Sequence, residues 1–246
     1  MNNNYLNSLE IEPCDLNEFP FSLPLFKNGI KINFDCPITF IVGENGAGKS
    51  TLLESLAYNI GFNILGGNRN HLYNDDLNFD NIKLSNKMKL SWRLKTSKGF
   101  FFRAESFFNF ADYLENMAIE NGKGAFSSYG GKSLKKQSHG ESFLSLFKNQ
   151  FRDGIFILDE PESALSAERQ LTLISVLNQL VKENHCQFII ATHSPILITC
   201  PNSVIYEIED SGLQQKDYPD TKQFQLYKNF INNPERILNY LLKNND

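Results

Sequence analysis

Three stretches of the chain are apolar at nearly every position, and each ends abruptly in glycine or polar residues. Ile38, Phe40, Ile41 and Val42 run into Gly43; Ile155, Phe156, Ile157 and Leu158 run into Asp159; residues 188–191 run into Thr192. Predominantly apolar runs of this length predict strands buried on both faces, as in a parallel sheet. Other stretches follow a helical period. Leu52, Leu53, Leu56 and Ala57 share one face of residues 51–58, and Leu171, Ile174, Leu177 and Val181 are the inward positions expected across residues 169–182. That second helix is long enough to be the crossover between neighbouring parallel strands. Phe143, Leu144, Leu146 and Phe147 predict another amphipathic helix, and Asn233-Pro234-Glu235 opens a C-terminal one through Leu241.

Strict alternation marks a different kind of element. Met88, Leu90, Trp92 and Leu94 alternate with Lys87, Lys89, Ser91, Arg93 and Lys95, a half-buried strand with a basic outer face. That face reads as solvated surface, with phosphate contact as the alternative. Phe100-Phe101-Phe102 and Phe107-Phe108 fit a strand followed by a core helix, with base stacking as the alternative. Residues 61–86 are asparagine-rich and poorly periodic, which reads as loops or a small inserted lobe.

The first apolar run leads into Gly43-Glu44-Asn45-Gly46-Ala47-Gly48-Lys49-Ser50, which fits G-x-x-x-x-G-K-[ST] at every fixed position. The strand before it and the helix after it supply the context this phosphate-binding loop needs. Its glycines let successive N–H groups turn inward on a polyphosphate at the positive end of the new helix. Lys49 is then expected on the β- and γ-phosphates and the Ser50 hydroxyl on Mg2+, with the nucleotide-contacting set running on to Thr51. The ligand implied is a nucleoside triphosphate.

The second run ends in Asp159-Glu160. Asp159 is placed to hold Mg2+ with Ser50, and Glu160 to orient an attacking water and accept its proton. The third ends in Thr192-His193-Ser194-Pro195, which brings His193 to the same carboxyl edge, within reach of a γ-phosphate. Ser138 and Gly140, in Gln137-Ser138-His139-Gly140-Glu141-Ser142, stand at a helix start, either as an ordinary N-cap or as a second anion site.

Composition narrows the setting. The chain has 246 residues and 41% hydrophobic content, enough for a full core. The reading is of one domain over 1–246, with the inserted lobe at about 61–86 and a helical subregion at about 105–150. Net charge is −4 at pH 7, so no global basic field advertises nucleic acid. Between Glu120 and Glu141 no acid falls, and Lys123, Lys132, Lys135 and Lys136 make a glycine-rich cationic loop, solvated or phosphate-contacting. Cys14, Cys36, Cys186 and Cys200 lack metal-ligand spacing. With no membrane span and a polar start, the expectation is a cytoplasmic protein without direct membrane insertion.

The order of these motifs resembles the ABC-type ATPase superfamily. It is most similar to small stand-alone bacterial ABC-type ATPases grouped with the AAA family, which look like SMC heads without the coiled coil. The likeness rests on Phe19-Pro20-Phe21-Ser22-Leu23-Pro24, the phosphate loop, Phe102-Arg103-Ala104-Glu105-Ser106, Ser138-His139-Gly140-Glu141-Ser142, Leu158-Asp159-Glu160-Pro161-Glu162 and Ala191-Thr192-His193-Ser194-Pro195. It implies an α/β P-loop NTPase with a mainly parallel core sheet flanked by helices, plus small β and helical lobes. It also implies ATP and Mg2+ as ligands and a head-to-tail homodimer that sandwiches two ATP molecules. In that dimer Ser138 and Gly140 of one copy close on the nucleotide of the other. The chain departs from the superfamily signature Leu-Ser-Gly-Gly-Gln at Gln137, His139 and Glu141. Its D-loop-like Ser163-Ala164-Leu165-Ser166 ends in Ser rather than Asp, and Arg103 and Glu105 stand where a coupling glutamine is expected. The resemblance implies an ATP-driven switch acting on DNA, RNA or a protein, of the repair or phage-defence kind. The alternatives are the nucleotide-binding subunit of an ABC transporter and a weakly hydrolysing nucleotide sensor.

Overall fold

A computed structural model describes residues 4–14, 17–64, 67, 79–104, 147 and 151–243. The apolar runs form one six-stranded sheet in the order β5-β6-β7-β3-β8-β9. Its strands are β3 (Ile38–Val42), β5 (Gly99–Arg103), β6 (Gly154–Asp159), β7 (Cys186–Ala191), β8 (Ser203–Glu209) and β9 (Gly212–Lys216). All neighbours are parallel except β8 and β9, which pair as a hairpin. Parallel neighbours need crossovers. α4 (Ala167–Asn184) makes the one from β6 to β7, and α2 (Lys49–Ile60) follows β3. A second sheet, β2-β1-β4, is antiparallel and is built from β1 (Leu6–Ile11), β2 (Ile30–Asn33) and β4 (Met88–Trp92). α1 (Pro24–Lys27) lies between β1 and β2 in sequence, and α3 (Phe79–Lys87) leads directly into β4. Two helices, α5 (Lys222–Asn232) and α6 (Pro234–Lys243), close the chain.

The period of two in each strand explains why the runs are apolar throughout. Phe100 and Phe102 face one cluster together with Phe156, Leu158, Phe188 and Ile190, and α4 covers it. Phe101 faces the other together with Ile155, Ile157, Ile189 and Ile41, where α2 and the small sheet pack. All three phenylalanines are at most 4% exposed, so core packing and not base stacking accounts for them. Phe151 seals the first cluster: its ring lies 4.1 Å from that of Phe156 and 4.3 Å from that of Phe147.

The small sheet is stitched to the large one by a buried amide. Gln187 on β7 accepts from the N–H groups of Tyr5 and Leu6 and donates to the Leu6 carbonyl, all between 2.8 and 2.9 Å. Every polar atom of that side chain is thereby satisfied, as burial demands.

Several expectations shift. The inward face of α4 is Leu173, Val176, Leu177 and Leu180, while Ile174 and Val181 pack at its margin and Leu171 is 59% exposed. A helix of 3.6 residues per turn has a broad apolar stripe, and the sequence pattern located it about one residue out of phase. Residues 61–86 end in a helix, because Leu84 supplies a fully buried contact for α3. Leu94 lies past the end of β4 and is 64% exposed. The basic face of β4 is charge-mixed: Lys89 pairs with Glu12 and stands opposite Glu10 across the sheet. The expected 105–150 helical subregion, the cationic loop and Phe107-Phe108 lie outside the described residues, apart from Phe147.

Phe151→Ala should cost about 3–5 kcal/mol, the usual penalty for emptying a fully packed aromatic site. The check is the urea midpoint at constant slope.

Candidate nucleotide and metal site

Hydrogen bonds between strand ends align the site. Thr192 N donates to Ile41 O at 3.2 Å, Glu160 N to Ala191 O at 3.0 Å, and Ala104 N to Asp159 O at 3.3 Å. The ends of β3, β7, β6 and β5 are thereby set side by side at one edge of the sheet, the usual ligand edge of an open α/β fold.

The loop between β3 and α2 needs glycine for two reasons. Gly46 and Gly48 have φ of 77° and 99°, the left-handed region. A Cβ at Gly48 would also come 3.2 Å from Leu23 and 3.3 Å from Phe26, whereas one at Gly46 would meet nothing. One glycine thus packs the loop against α1, and the other leaves backbone facing open space. Lys49 is 4% exposed and folds back to donate to the carbonyls of Gly43 and Glu44, each at 2.9 Å. Burial lowers its pKa, against the pull of Glu160, Asp159 and Glu162. A buried ammonium under a glycine cradle fits a polyphosphate, whose oxygens can replace those carbonyls.

Ser50 donates its hydroxyl to Asp159 Oδ1 at 3.2 Å. Two oxygen donors of this kind suit Mg2+. Asp159 is 4% exposed, and burial pushes its pKa up to about 7; the Ser50 hydrogen bond and Arg103 oppose that rise, while Glu160 and Glu54 add to it. Arg103, at the end of β5, reaches Glu54 Oε1 on α2 at 2.5 Å and approaches Asp159 Oδ2 at 3.9 Å. Glu54 is a component that the sequence pattern did not flag. Its only signal was a carboxylate set among the apolar positions of α2, where 8% exposure demands a cationic partner.

Glu160 adopts φ 49° and ψ 53°, a left-handed conformation unusual for a residue with a side chain. Such a position is costly by about 1–2 kcal/mol and often marks a functional turn. It turns the chain off β6 so that Glu160 Oε1 lies 3.5 Å from His193 Nε2. His193 is held by its own N–H, which donates to Glu162 Oε1 at 2.5 Å. Burial, then the nearby Lys49 charge, lowers the imidazole pKa, favouring the neutral ring; Glu160 pulls the other way.

Lys49, Ser50, Asp159, Glu160 and His193 therefore meet at one edge, and Glu44, Asn45, Gly46 and Ala47 line a cavity that His193 also reaches. Thr51 sits in the first turn of α2. Ser166 caps α4, its side chain accepting from Arg169 N at 3.4 Å. Ser138 and Gly140 lie outside the described residues.

A family model described as AAA domain matches residues 22–245. The chain belongs to this AAA domain family. A Staphylococcus aureus (strain MRSA252) protein named for hemin import and ATP binding, HrtA, is 26% identical to this AAA domain over 210 residues, covering 74% of the chain and 88% of that protein. Two transporter structures share its fold, each at TM-score 0.51 and 15% identity. One is a chain of a metal-chelate type ABC transporter in an inward-facing conformation, where 92% of this chain covers 88% of that one. The other is MJ1267, an ATP-binding cassette of an ABC transporter, where 91% covers 98%. An Smc head bound to the C-winged helix domain of ScpA matches at TM-score 0.50 and 13% identity, with 87% of this chain covering 98% of that one. The AAA domain thus has the α/β fold of ABC ATPases and SMC heads. Among the described residues, no helix is long and apolar enough to cross a membrane.

The raised pKa of Asp159 has a stability consequence. Between about pH 4 and about pH 7 the folded state holds a proton that the unfolded state has lost, so this residue's contribution to stability falls as pH rises. Asp159→Asn should raise the melting temperature of metal-free protein at about pH 8 and have little effect at about pH 3, where both states mostly carry the proton. Melting curves of both proteins at the two pH values check this.

Proposed function

We propose that the chain binds Mg2+ and ATP at the interface of a nucleotide-sandwich homodimer, hydrolyses the ATP, and acts as a conformational switch on a nucleic-acid or protein partner. The observation that carries this reading is the meeting of Lys49, Ser50, Asp159, Glu160 and His193 at one strand edge beside the glycine loop.

Lys49 exchanges its bonds to the Gly43 and Glu44 carbonyls for β- and γ-phosphate oxygens. Ser50 and Asp159 would hold Mg2+, which when bound would supply positive charge against the triphosphate. Glu160 takes a proton from water as the water oxygen attacks that phosphorus and the bond to the ADP oxygen breaks. His193, neutral and fixed through Glu162, positions Glu160 and the γ-phosphate. Ser138 and Gly140 of the second copy complete the anion site. ATP then acts as a dimerising ligand, because those contacts exist only in the closed state.

A second reading, the nucleotide-binding subunit of a transporter, is favoured by the name of the staphylococcal relative and by the two transporter folds. Steady-state ATP turnover with and without DNA separates the two. Stimulation by DNA that fades with salt supports the first. A transporter subunit should instead respond to its membrane partner.

Glu160→Gln should keep ATP binding, slow turnover by about 10²–10⁴-fold, and accumulate as an ATP-bound dimer. Light scattering with Mg-ATP checks it; a variant that stays monomeric contradicts the sandwich. Lys49→Ala should lose ATP affinity in a direct binding titration, and unchanged affinity contradicts its phosphate role.

A further inference from the structure

Buried on α2 is a carboxylate that the chemistry proposed above does not use. Glu54 is 8% exposed and stands four residues after Ser50, so one face of the helix carries both side chains, one turn apart. Two strand ends meet that face. Asp159, at the end of β6, accepts from Ser50, and Arg103, at the end of β5, pairs with Glu54. Two polar links therefore run from one helix to two neighbouring strands.

The pairing of the strands alone would favour a different partner. Arg103 and Asp159 are directly opposed in the parallel register of β5 with β6, and opposed side chains project to the same face of a sheet. An arginine so placed beside a buried carboxylate has a two-pronged salt bridge within reach. Instead Arg103 Nη1 reaches Glu54 Oε1 at 2.5 Å, while its Nε stays 3.9 Å from Asp159 Oδ2, too far for a hydrogen bond.

That choice of partner matters for a metal ion. A carboxylate gripped by a guanidinium gives its oxygens to the arginine, and a cation arriving there meets a like charge. Asp159 instead keeps Oδ1 on the Ser50 hydroxyl and Oδ2 clear of the Arg103 Nε hydrogen bond. Without the Glu54 charge, the guanidinium has Asp159, 3.9 Å away, to turn to.

We propose that Glu54 is a positioning residue for the metal site: it draws Arg103 away from Asp159 and so keeps that carboxylate open to Mg2+. The inference rests on the Mg-ATP reading above. The action of Glu54 is indirect, through Arg103. A purely structural link between α2 and β5 has a different signature, since its loss weakens ATP binding equally with and without metal.

The test is calorimetric titration of ATP, with Mg2+ and with a chelator, into wild type, Glu54→Gln, Arg103→Met and the double variant. The readout is the gain in affinity that Mg2+ brings, and melting curves establish folding. Glu54→Gln should lose about tenfold or more of that gain, the usual scale for a group behind a metal ligand, and keep its affinity in chelator within about twofold. Arg103→Met should keep the gain. The double variant should recover it, because no guanidinium is left to take Asp159.

A gain unchanged in Glu54→Gln overturns the proposal, as does an equal loss with and without Mg2+. A double variant as poor as Glu54→Gln overturns it too. If Glu54→Gln does not fold, Arg103→Met decides: a kept gain supports the proposal and a lost gain overturns it. Wild type that binds ATP without any gain from Mg2+ overturns the metal site, and wild type that binds no ATP overturns the ATP reading. The proposal falls with either.

Discussion

Backbone hydrogen bonds at the carboxyl ends of β3, β7, β6 and β5 fix the strand-borne groups of the site relative to one another. Ile41 receives Thr192, Ala191 receives Glu160, and Asp159 receives Ala104, each across neighbouring parallel strands. A slip of one residue in any pair would reverse the faces of its side chains and bury or expose the wrong carboxylate. The core guards that register, because alternate residues of the same strands feed two separate apolar clusters. Packing on both faces of the sheet and chemistry at its edge are therefore one constraint.

Electrostatics at this edge is arranged around burial. Asp159 sits among Glu54, Glu160 and a single nearby guanidinium, and burial holds its pKa near neutrality. Such a carboxylate gains from a divalent cation that replaces the missing solvation. Lys49 is in the opposite condition, a buried ammonium satisfied by two carbonyls until anionic oxygens arrive. Each partner of an Mg-nucleotide would thus relieve a cost already present in the protein. The left-handed Glu160 adds a strained turn at the same place.

Much of this was legible in the sequence because it is local. The glycine loop, the two apolar runs ending in Asp159-Glu160 and Thr192-His193, and the crossover helix between them are short-range patterns with a direct physical meaning. What escaped was set by tertiary contact. Glu54 acquires its partner from β5, far along the chain, and no spacing rule joins it to Arg103. Gln187 precedes the apolar run 188–191, and its role appears only when the small sheet supplies three backbone partners. Leu171 was mistaken for a core position because an amphipathic stripe fixes a helix face only to within about one residue. The α3 helix, hidden in an asparagine-rich stretch, owes its place to Leu84 packing rather than to its own periodicity.

We propose that Asp159 and Ser50 present a metal site next to the phosphate loop. Calorimetric titration of ATP into wild type and Asp159→Asn, each with Mg2+ and with a chelator, tests it most directly. Mg2+ should tighten ATP binding in wild type, and Asp159→Asn should keep the metal-free affinity while losing that gain. An equal gain from Mg2+ in both proteins would contradict it.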